Sequence, residues 1–308
     1  MVKVIAEIGC NHKGDMDIAK ELIQVAARVC KADVAKFQKR NSREIIASEE
    51  YRAPHPNPAN SYGETYGAHR EFLEFNIEQH KELKEECEAN GIIYSASVWD
   101  LTSAREIATL KPELIKIPSA TNQHYDLQDY LCKHYDGEIH VSTGMTTRDE
   151  VENLVKFYEQ RGRAKDLVLY ACTSGYPVAF EDICLFEINR LQEKFGDQVK
   201  SIGFSGHHLG IAADVAALAI GKNGEHVYGQ GQFGYIERHF TLDRTWKGTD
   251  HAASLEPDGL RRLCRDIKHV SQSLAYKQAD MLEVELEQRK KLKWTKAQHG
   301  SLSLAASN

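Results

Sequence analysis

Short apolar β-type runs alternate with periodic, polar-faced segments along most of the chain. The runs are VKVIAEIG (2–9), DVAKFQ (33–38), IIYSAS (92–97), LIKIPS (114–119), EIHVST (138–143), LVLYAC (167–172), SIGFSG (201–206) and YIERHF (235–240). Helical periodicity falls between them, at 15–30, 77–90, 101–110, 147–160, 180–195 and 209–221. Alternating β and α units imply a parallel sheet. Eight such units over about 250 residues predict an α/β protein of the (β/α)8, or TIM barrel, type. A doubly wound open sheet is the structural alternative. It is disfavoured because no glycine-rich phosphate loop of Rossmann or P-loop type follows any of the runs.

Three stretches break the rhythm. Residues 41–75 form a long connection, and a connection of that length inside a compact domain is usually functional. With Tyr62, Tyr66, His69 and Arg70 in it, the segment reads as a substrate lid. Residues 222–234 are glycine-rich and read as a flexible excursion before the eighth run. Residues 257–293 read as one long C-terminal helix. The domain expectation is a barrel with its C-terminal helix over 1–290, followed by a short tail over 291–308.

Active sites of (β/α)8 barrels lie at the C-terminal ends of the strands, so what ends each run is the test. The runs end, in order, in Glu7 with Asn11 and His12; Lys36, Gln38 and Lys39; Ser95 and Ser97; Lys116 and Ser119; Ser142 and Thr143; Thr173, Ser174 and Tyr176; Ser205, His207 and His208; and Glu237 and His239. Structural ion pairs would account for one or two of these, since buried Lys and Glu are costly unless paired. They do not account for all eight ends. Lys36, Lys116 and the hydroxyls of Ser97, Ser119, Ser174 and Ser205 form an inventory suited to a phosphate beside a carboxylate. His207 and His239 stand on neighbouring strands. They suit a divalent metal with open positions, satisfied core histidines being the other reading. Glu237 and His239, two apart on a strand, share a face, and the loop beyond them ends in Asp250 and His251.

Composition narrows the picture by exclusion. The chain has 308 residues, 42% hydrophobic and 27% charged, with a net charge of −6 and no basic stripe. That is a globular composition without an electrostatic case for nucleic acid. Seven scattered cysteines with no CxxC pair suggest neither a zinc ribbon nor a disulfide framework. The N-terminus carries no signal-peptide pattern and no run long enough to span a membrane, so a cytoplasmic protein is expected.

The segments AEIGCNHKGD (6–15), ADVAKFQK (32–39), IKIPSA (115–120), STGM (142–145), CTSGYP (172–177), GFSGHHLG (203–210) and IERHFTLDRTWKGTDHAASLEP (236–257) together resemble the sialic acid (N-acylneuraminate, or nonulosonic acid) synthase family. The last of these, with SYGETYGAHREFLEF (61–75), is similar to the vertebrate-type members. The resemblance covers residues 2–270. It implies a phosphoenolpyruvate site of Lys36, Ser97, Lys116, Ser119, Ser174 and Ser205. It implies metal ligands at His207 and His239, for Mn²⁺ or Mg²⁺, and a Glu7 that positions or deprotonates a water. Tyr176, Glu237 and Asp250 would contact an open-chain acceptor sugar. The partners implied are phosphoenolpyruvate, an aldose acceptor and a second copy of the chain in a homodimer.

Two departures bear on the acceptor. The family typically has an acidic residue where this chain has Thr121, which puts Thr121 at the acceptor. Many members also carry a C-terminal antifreeze-like domain that brings an arginine to the acyl group, and this sequence stops where that domain would begin. Either the arginine comes from elsewhere or the acceptor needs no such contact; the second is preferred, and the acceptor expected is mannosamine-like or mannose-like, with or without a 6-phosphate, and without the usual N-acetyl recognition. Two other functional classes stay open: an aldolase forming a Schiff base at Lys116 or Lys36, and a non-catalytic sugar-acid binding barrel.

Overall fold

The computed structural model describes residues 1–294. All eight predicted runs are strands, β1 (Lys3–Gly9), β2 (Val34–Lys39), β3 (Ile93–Val98), β4 (Leu114–Ile117), β5 (Glu138–Ser142), β6 (Leu167–Cys172), β7 (Ser201–Gly206) and β8 (Phe233–His239). They pair in parallel and in sequence order, with β8 returning to β1, so the sheet is a closed barrel. The predicted (β/α)8 fold is the observed one.

Alternation along each strand sorts side chains into two populations. Outward residues such as Val4, Ala6, Ile8, Ala35, Phe37, Ile115, Ile117, Val141 and Leu169 join the helices in one continuous apolar layer. Inward residues change character along the barrel axis. Ile5, Val34, Leu114, Val168, Tyr170 and Tyr235 make a separate apolar plug. One step further along, the register sets Glu7 level with Lys36 and with His239, Ser97 with Lys116, and Ser205 with Glu237. The plug closes the barrel from below, and the polar layer opens at the C-terminal mouth.

Two expectations about the connections are corrected. Residues 222–234 are not a flexible excursion: the helix Ala212–Tyr228 runs through them and β8 begins at Phe233. The glycines serve close packing instead. A Cβ at Gly224 would collide with the Gln192 amide, and one at Gly234 with the Ser201 hydroxyl. Residues 257–293 are two helices, Pro257–Ser273 and Glu283–Leu292. The first buries Leu260, Leu263, Cys264 and Ile267, whereas the second buries nothing, so the apolar stripe that would carry one helix through stops at Ile267. The chain divides into a compact unit, Met1–Ser271, and a second unit, Gln272–Asn308. The expected tail lies, from residue 295 onward, outside the described residues. Among those described, no helix is long and apolar enough to cross a membrane.

The 41–75 connection is built rather than open. It contains the helices Ser42–Ile45, Ser48–Arg52 and Tyr66–Leu73. Its end is pinned by an aromatic and histidine cluster on the outer face of β2. Phe75 stacks on His12 at 4.1 Å between centroids, and His80 stands edge-on to Phe37 and Phe75. The Nδ1 of His80 bonds the Tyr94 hydroxyl at 2.8 Å. His80 is fully buried, and burial pushes its imidazole down from 6.5 to about 3.

This burial has a pH signature. Between those two values the unfolded chain binds a proton at His80 that the folded chain does not, so stability falls as pH drops from 6.5 toward 3. The slope for this residue approaches about 1.4 kcal/mol per pH unit within that window. His80→Gln removes this share of the dependence. In urea unfolding, the stability advantage of the parent over the variant should shrink by about 2 kcal/mol between about pH 7 and pH 4.5.

Candidate active site

At the mouth of the barrel is a cavity of about 330 Å³. Its lining includes Glu7, Lys36, Ser97 and Lys116 from β1 to β4, and Ser119 and Ser174 from the loops after β4 and β6. From the other side come Tyr176, Ser205, His207, Glu237, His239 and Asp250. Twelve candidates from the sequence thus share one cavity, although they are scattered over residues 7 to 250.

At its floor two buried lysines and two buried carboxylates are interleaved. Lys36 Nζ pairs with Glu7 Oε2, lies 3.7 Å from Glu237 Oε1 and donates to Ser97 Oγ at 2.7 Å. Lys116 Nζ donates to Glu237 Oε2 at 3.1 Å and sits over the Tyr170 ring, 3.4 Å from its centroid. Ser205 Oγ donates to Glu237 Oε1 at 3.2 Å, and Gln38 Nε2 donates to Glu7 Oε1 at 2.7 Å. With both carboxyls ionised the quartet carries no net charge, which offsets the cost of burying it.

The two carboxyls are held differently. Burial alone would raise Glu237, but Lys116 and then Lys36 hold it well below the usual carboxylate range. Burial pushes Glu7 up to about 7, against the pull of Lys36 and with the charge of Glu237 adding to the rise. A group poised this near neutrality can hold or release a proton under ordinary conditions. Burial lowers Lys116, and Glu237 opposes that fall.

The imidazoles stand on the β7–β8 side, with ring centroids 5.4 Å apart. The Nδ1 of His207 donates to the carbonyl of Thr173 at 3.0 Å, which leaves Nε2 with the lone pair. The Nδ1 of His239 is buried with no hydrogen-bond partner, and Asp250 Oδ2 stands 3.9 Å away. Tyr176 lays its ring against both, at 4.4 and 5.9 Å. An unpartnered imidazole nitrogen beside one whose lone pair is directed by a backbone carbonyl suits a divalent cation. Among the described residues no group of three or more His, Cys, Asp or Glu is arranged to hold a metal. A metal here would therefore rest on His207 and His239, with non-protein ligands filling the remaining positions.

Other candidates fall elsewhere. Thr121 is outside the cavity and lines an adjoining recess, its hydroxyl buried without a partner. It ends the 3-10 turn Ser119–Thr121, and at three residues per turn it cannot face the way Ser119 does. Several polar strand-end residues serve the fold. Asn11 closes the β1–β8 seam through the Phe240 carbonyl and Ser254, Lys39 pairs with Glu106, and Thr143 bonds the Tyr170 carbonyl. Conversely, Arg40 and Trp99 line the cavity and were not singled out from the sequence. The signal was present. Lys36, Gln38 and Arg40 follow the alternation of β2, and Ser95, Ser97 and Trp99 that of β3, each one step past the apparent end of the run.

A closed (β/α)8 barrel with converging anion-binding and proton-handling groups at its C-terminal mouth has the architecture of an enzyme active site. The chain belongs to the NeuB family, which it matches over residues 22–279, and is a nonulosonate synthase-like enzyme. It is 35% identical over 289 residues to N-acetylneuraminate-9-phosphate synthase of Homo sapiens, covering 94% of this chain and 76% of that one. It is 31% identical over 272 residues to N,N'-diacetyllegionaminic acid synthase of Campylobacter jejuni, covering 88% and 77%. Among solved structures it is similar to an N-acetylneuraminic acid (sialic acid) synthetase from Leptospira borgpetersenii in complex with citrate. That match has a TM-score of 0.75 and 27% identity, over 96% of this chain and 93% of that one.

The quartet makes its own prediction. Glu237→Gln leaves Lys116 and Lys36 with one carboxylate between them, and breaking a buried ion pair typically costs about 3–5 kcal/mol. The variant should unfold at clearly lower denaturant than the parent. Added inorganic phosphate should recover part of the loss by replacing the carboxylate as the lysines' partner. A variant as stable as the parent would mean that the lysines do not depend on Glu237.

Proposed function

We propose that this chain condenses phosphoenolpyruvate with an open-chain aldose, giving a 3-deoxy-2-ulosonic acid and inorganic phosphate. The observation that carries the reading is the charge-balanced quartet of Lys36, Lys116, Glu7 and Glu237, ringed by serine hydroxyls and sharing its cavity with His207 and His239. Lys36, Lys116, Ser97, Ser119, Ser174 and Ser205 bind the phosphate and carboxylate of phosphoenolpyruvate. Gly144 belongs with them: lacking a side chain, it lets the Ser119 and Ser174 hydroxyls close over the backbone, and its N–H donates to Ser119 Oγ at 3.1 Å.

His207 and His239 would hold a Mn²⁺ or Mg²⁺ ion, whose contribution is Lewis-acid polarisation of the acceptor aldehyde. Tyr176, Glu237 and Asp250 hold the acceptor so that its carbonyl carbon meets C3 of phosphoenolpyruvate. A new C3–carbon bond forms with the electrons of the enol double bond, and positive charge develops at C2. Glu7 orients a water toward C2 and takes its proton at a carboxylate oxygen as the C2–O bond forms. The bond between C2 and the bridging oxygen then breaks as the C2 hydroxyl loses its proton and becomes the ketone carbonyl; of the water's two protons, one passes by way of Glu7 to the former aldehyde oxygen and the other leaves with the phosphate, whose charge the lysines stabilise. The acceptor is an aldose of the mannosamine or mannose type, and the enzyme acts as a cytoplasmic homodimer, as the family resemblance supports.

A second reading has one observation in its favour. Burial lowers Lys116, as an imine-forming lysine requires. Its hydrogen bond to Glu237 opposes this by favouring the ammonium.

The test is phosphate release from phosphoenolpyruvate with Mn²⁺, using N-acetylmannosamine, mannose and their 6-phosphates as acceptors. We expect turnover with at least one acceptor, abolished by EDTA and restored by Mn²⁺, with ¹⁸O from bridging-labelled phosphoenolpyruvate appearing in the phosphate. Lys36→Met should lower kcat/KM by about 10²–10³-fold. Full activity in EDTA would remove the metal role from His207 and His239. Borohydride trapping of pyruvate on the protein would replace the synthase reading with the aldolase one.

A further inference from the structure

The plug beneath the charged quartet is crossed by a line of hydrogen bonds that the chemistry above does not use. It begins at the closed end of the barrel, where Lys200 Nζ lies 3.0 Å from Glu138 Oε1 and both side chains are partly exposed. Glu138 Oε2 accepts from the Tyr235 hydroxyl at 2.7 Å and meets His140 Nε2 at 3.0 Å. His140 Nδ1 meets the Tyr170 hydroxyl at 2.7 Å. His140 and Tyr170 are fully buried. The line ends at the face of the Tyr170 ring, where the Lys116 ammonium sits 3.4 Å from the centroid. His140 itself stands level with Lys116 in the β4–β5 register.

The direction of each bond follows from the charges. Burial would raise Glu138, but hydrogen bonds from His140 and Tyr235, and then from Lys200, hold it down at about 2. An ionised carboxylate only accepts, so His140 Nε2 carries the proton. Burial lowers His140 from 6.5 to about 4. At neutral pH its Nδ1 therefore keeps a lone pair and accepts from the Tyr170 hydroxyl. Every donor points along the line toward Glu138. Hydrogen bonds in such a chain polarise one another, so the Tyr170 oxygen gains negative charge and enriches the ring face that the ammonium meets.

Lys116 has need of that face. It is buried, and burial disfavours its charged form. Its carboxylate partner, Glu237 at 3.1 Å, is the group that an entering anion displaces. The ring is the contact that stays. Attraction to a ring face does not consume an N–H in one fixed direction, so the ammonium is free to turn from one acceptor to another while it is held.

We infer that Glu138, His140 and Tyr170 are positioning residues for Lys116: they fix an electron-rich ring against the ammonium, which keeps it in place when phosphoenolpyruvate takes it from Glu237. This rests on the reading that Lys116 binds phosphoenolpyruvate.

The test uses the full-length chain and two replacements at one position. Tyr170→Met removes the ring and leaves an apolar side chain in the plug, whereas Tyr170→Phe keeps the ring and loses only the hydroxyl. With Mn²⁺ and a saturating acceptor, Tyr170→Met should raise the KM for phosphoenolpyruvate about 10–30-fold, the worth of a desolvated cation–π contact. The kcat per folded enzyme should change little. Tyr170→Phe should recover most of the rise, and Glu138→Gln should raise the same KM by a smaller factor. A purely structural role would lower the folded fraction and leave KM alone. That result, or a Tyr170→Phe as impaired as Tyr170→Met, would overturn the proposal, and an unchanged KM in Glu138→Gln would remove Glu138 and His140 from it.

The second arm needs no turnover. In calorimetric titration with phosphoenolpyruvate alone, Tyr170→Met should weaken binding in the parent but not in Lys116→Met, because both changes act through one contact. Losses that add would mean that the ring acts elsewhere. If no acceptor supports phosphate release but the coupling holds, the support of Lys116 stands and the condensation reading fails. If turnover occurs and the losses add, the reverse is true.

Discussion

Four buried charges at the floor of the barrel must cancel, and the rest of the site is arranged around that requirement. Glu7, Lys36, Lys116 and Glu237 come from β1, β2, β4 and β8. They meet only because the register sets Glu7 level with Lys36 and Glu237 level with Ser205. A slip of one residue in any of these strands would turn its charge outward into the apolar layer beneath the helices. The register is therefore fixed from both sides of the sheet. Outward apolar residues need the helices, and inward charges need each other. The apolar plug of Ile5, Val34, Leu114, Val168, Tyr170 and Tyr235 beneath them excludes water from below and leaves the mouth as the way in.

A neutral quartet is not a ready-made anion hole. Each lysine already has a carboxylate, so an entering phosphate or carboxylate must take a lysine from Glu7 or Glu237. What the displaced carboxyl does next differs between the two. Glu7, pushed up to about 7 by burial against Lys36, can take a proton when it loses its ammonium. Glu237, held low by two lysines, would keep its charge and turn to another donor. One carboxyl is thereby suited to handle protons and the other to hold hydroxyls. This division was invisible in the sequence, where both are simply glutamates at strand ends. It arises from the number of lysines each one faces.

Much of the fold was legible because a parallel barrel strand is buried on both faces and reads as a short apolar run between amphipathic helices. The site was legible for a related reason. Polar residues near the C-terminal ends of such runs either point into the mouth, as Glu7, Lys36, Ser97, Lys116, Ser205, Glu237 and His239 do, or brace the fold, as Asn11, Lys39 and Thr143 do. The failures share a cause, namely that the sequence pattern was read as local when the constraint was tertiary. The glycines of 222–234 suggest looseness, yet Gly224 is where a helix presses against Gln192 and Gly234 where β8 approaches Ser201. A single helix was expected through residue 293, but periodicity without a surface to pack on does not hold one together. Thr121, assigned to the acceptor by the family resemblance alone, lines the recess beside the cavity. Arg40 and Trp99 escaped because the runs were cut where their apolar residues stopped, while the alternation continued one step further.

That last step changes how the 41–75 segment should be understood. Read from the sequence it was a lid, a word that implies opening. Its end is locked by Phe75 against His12 and His80, and its middle is tied across the mouth by the Tyr62 hydroxyl, which donates to the Lys247 carbonyl at 2.5 Å. Arg40 sits where the segment begins, under Trp99, and Arg70 where it returns. A segment fixed at its end, tied at its middle and carrying a cation near each end acts as a wall that completes the cavity on the side away from the imidazoles. The charged quartet at the floor comes entirely from barrel strands, whereas Arg70 comes from the connecting segment. The segment can therefore change without disturbing the quartet on which the barrel's register depends.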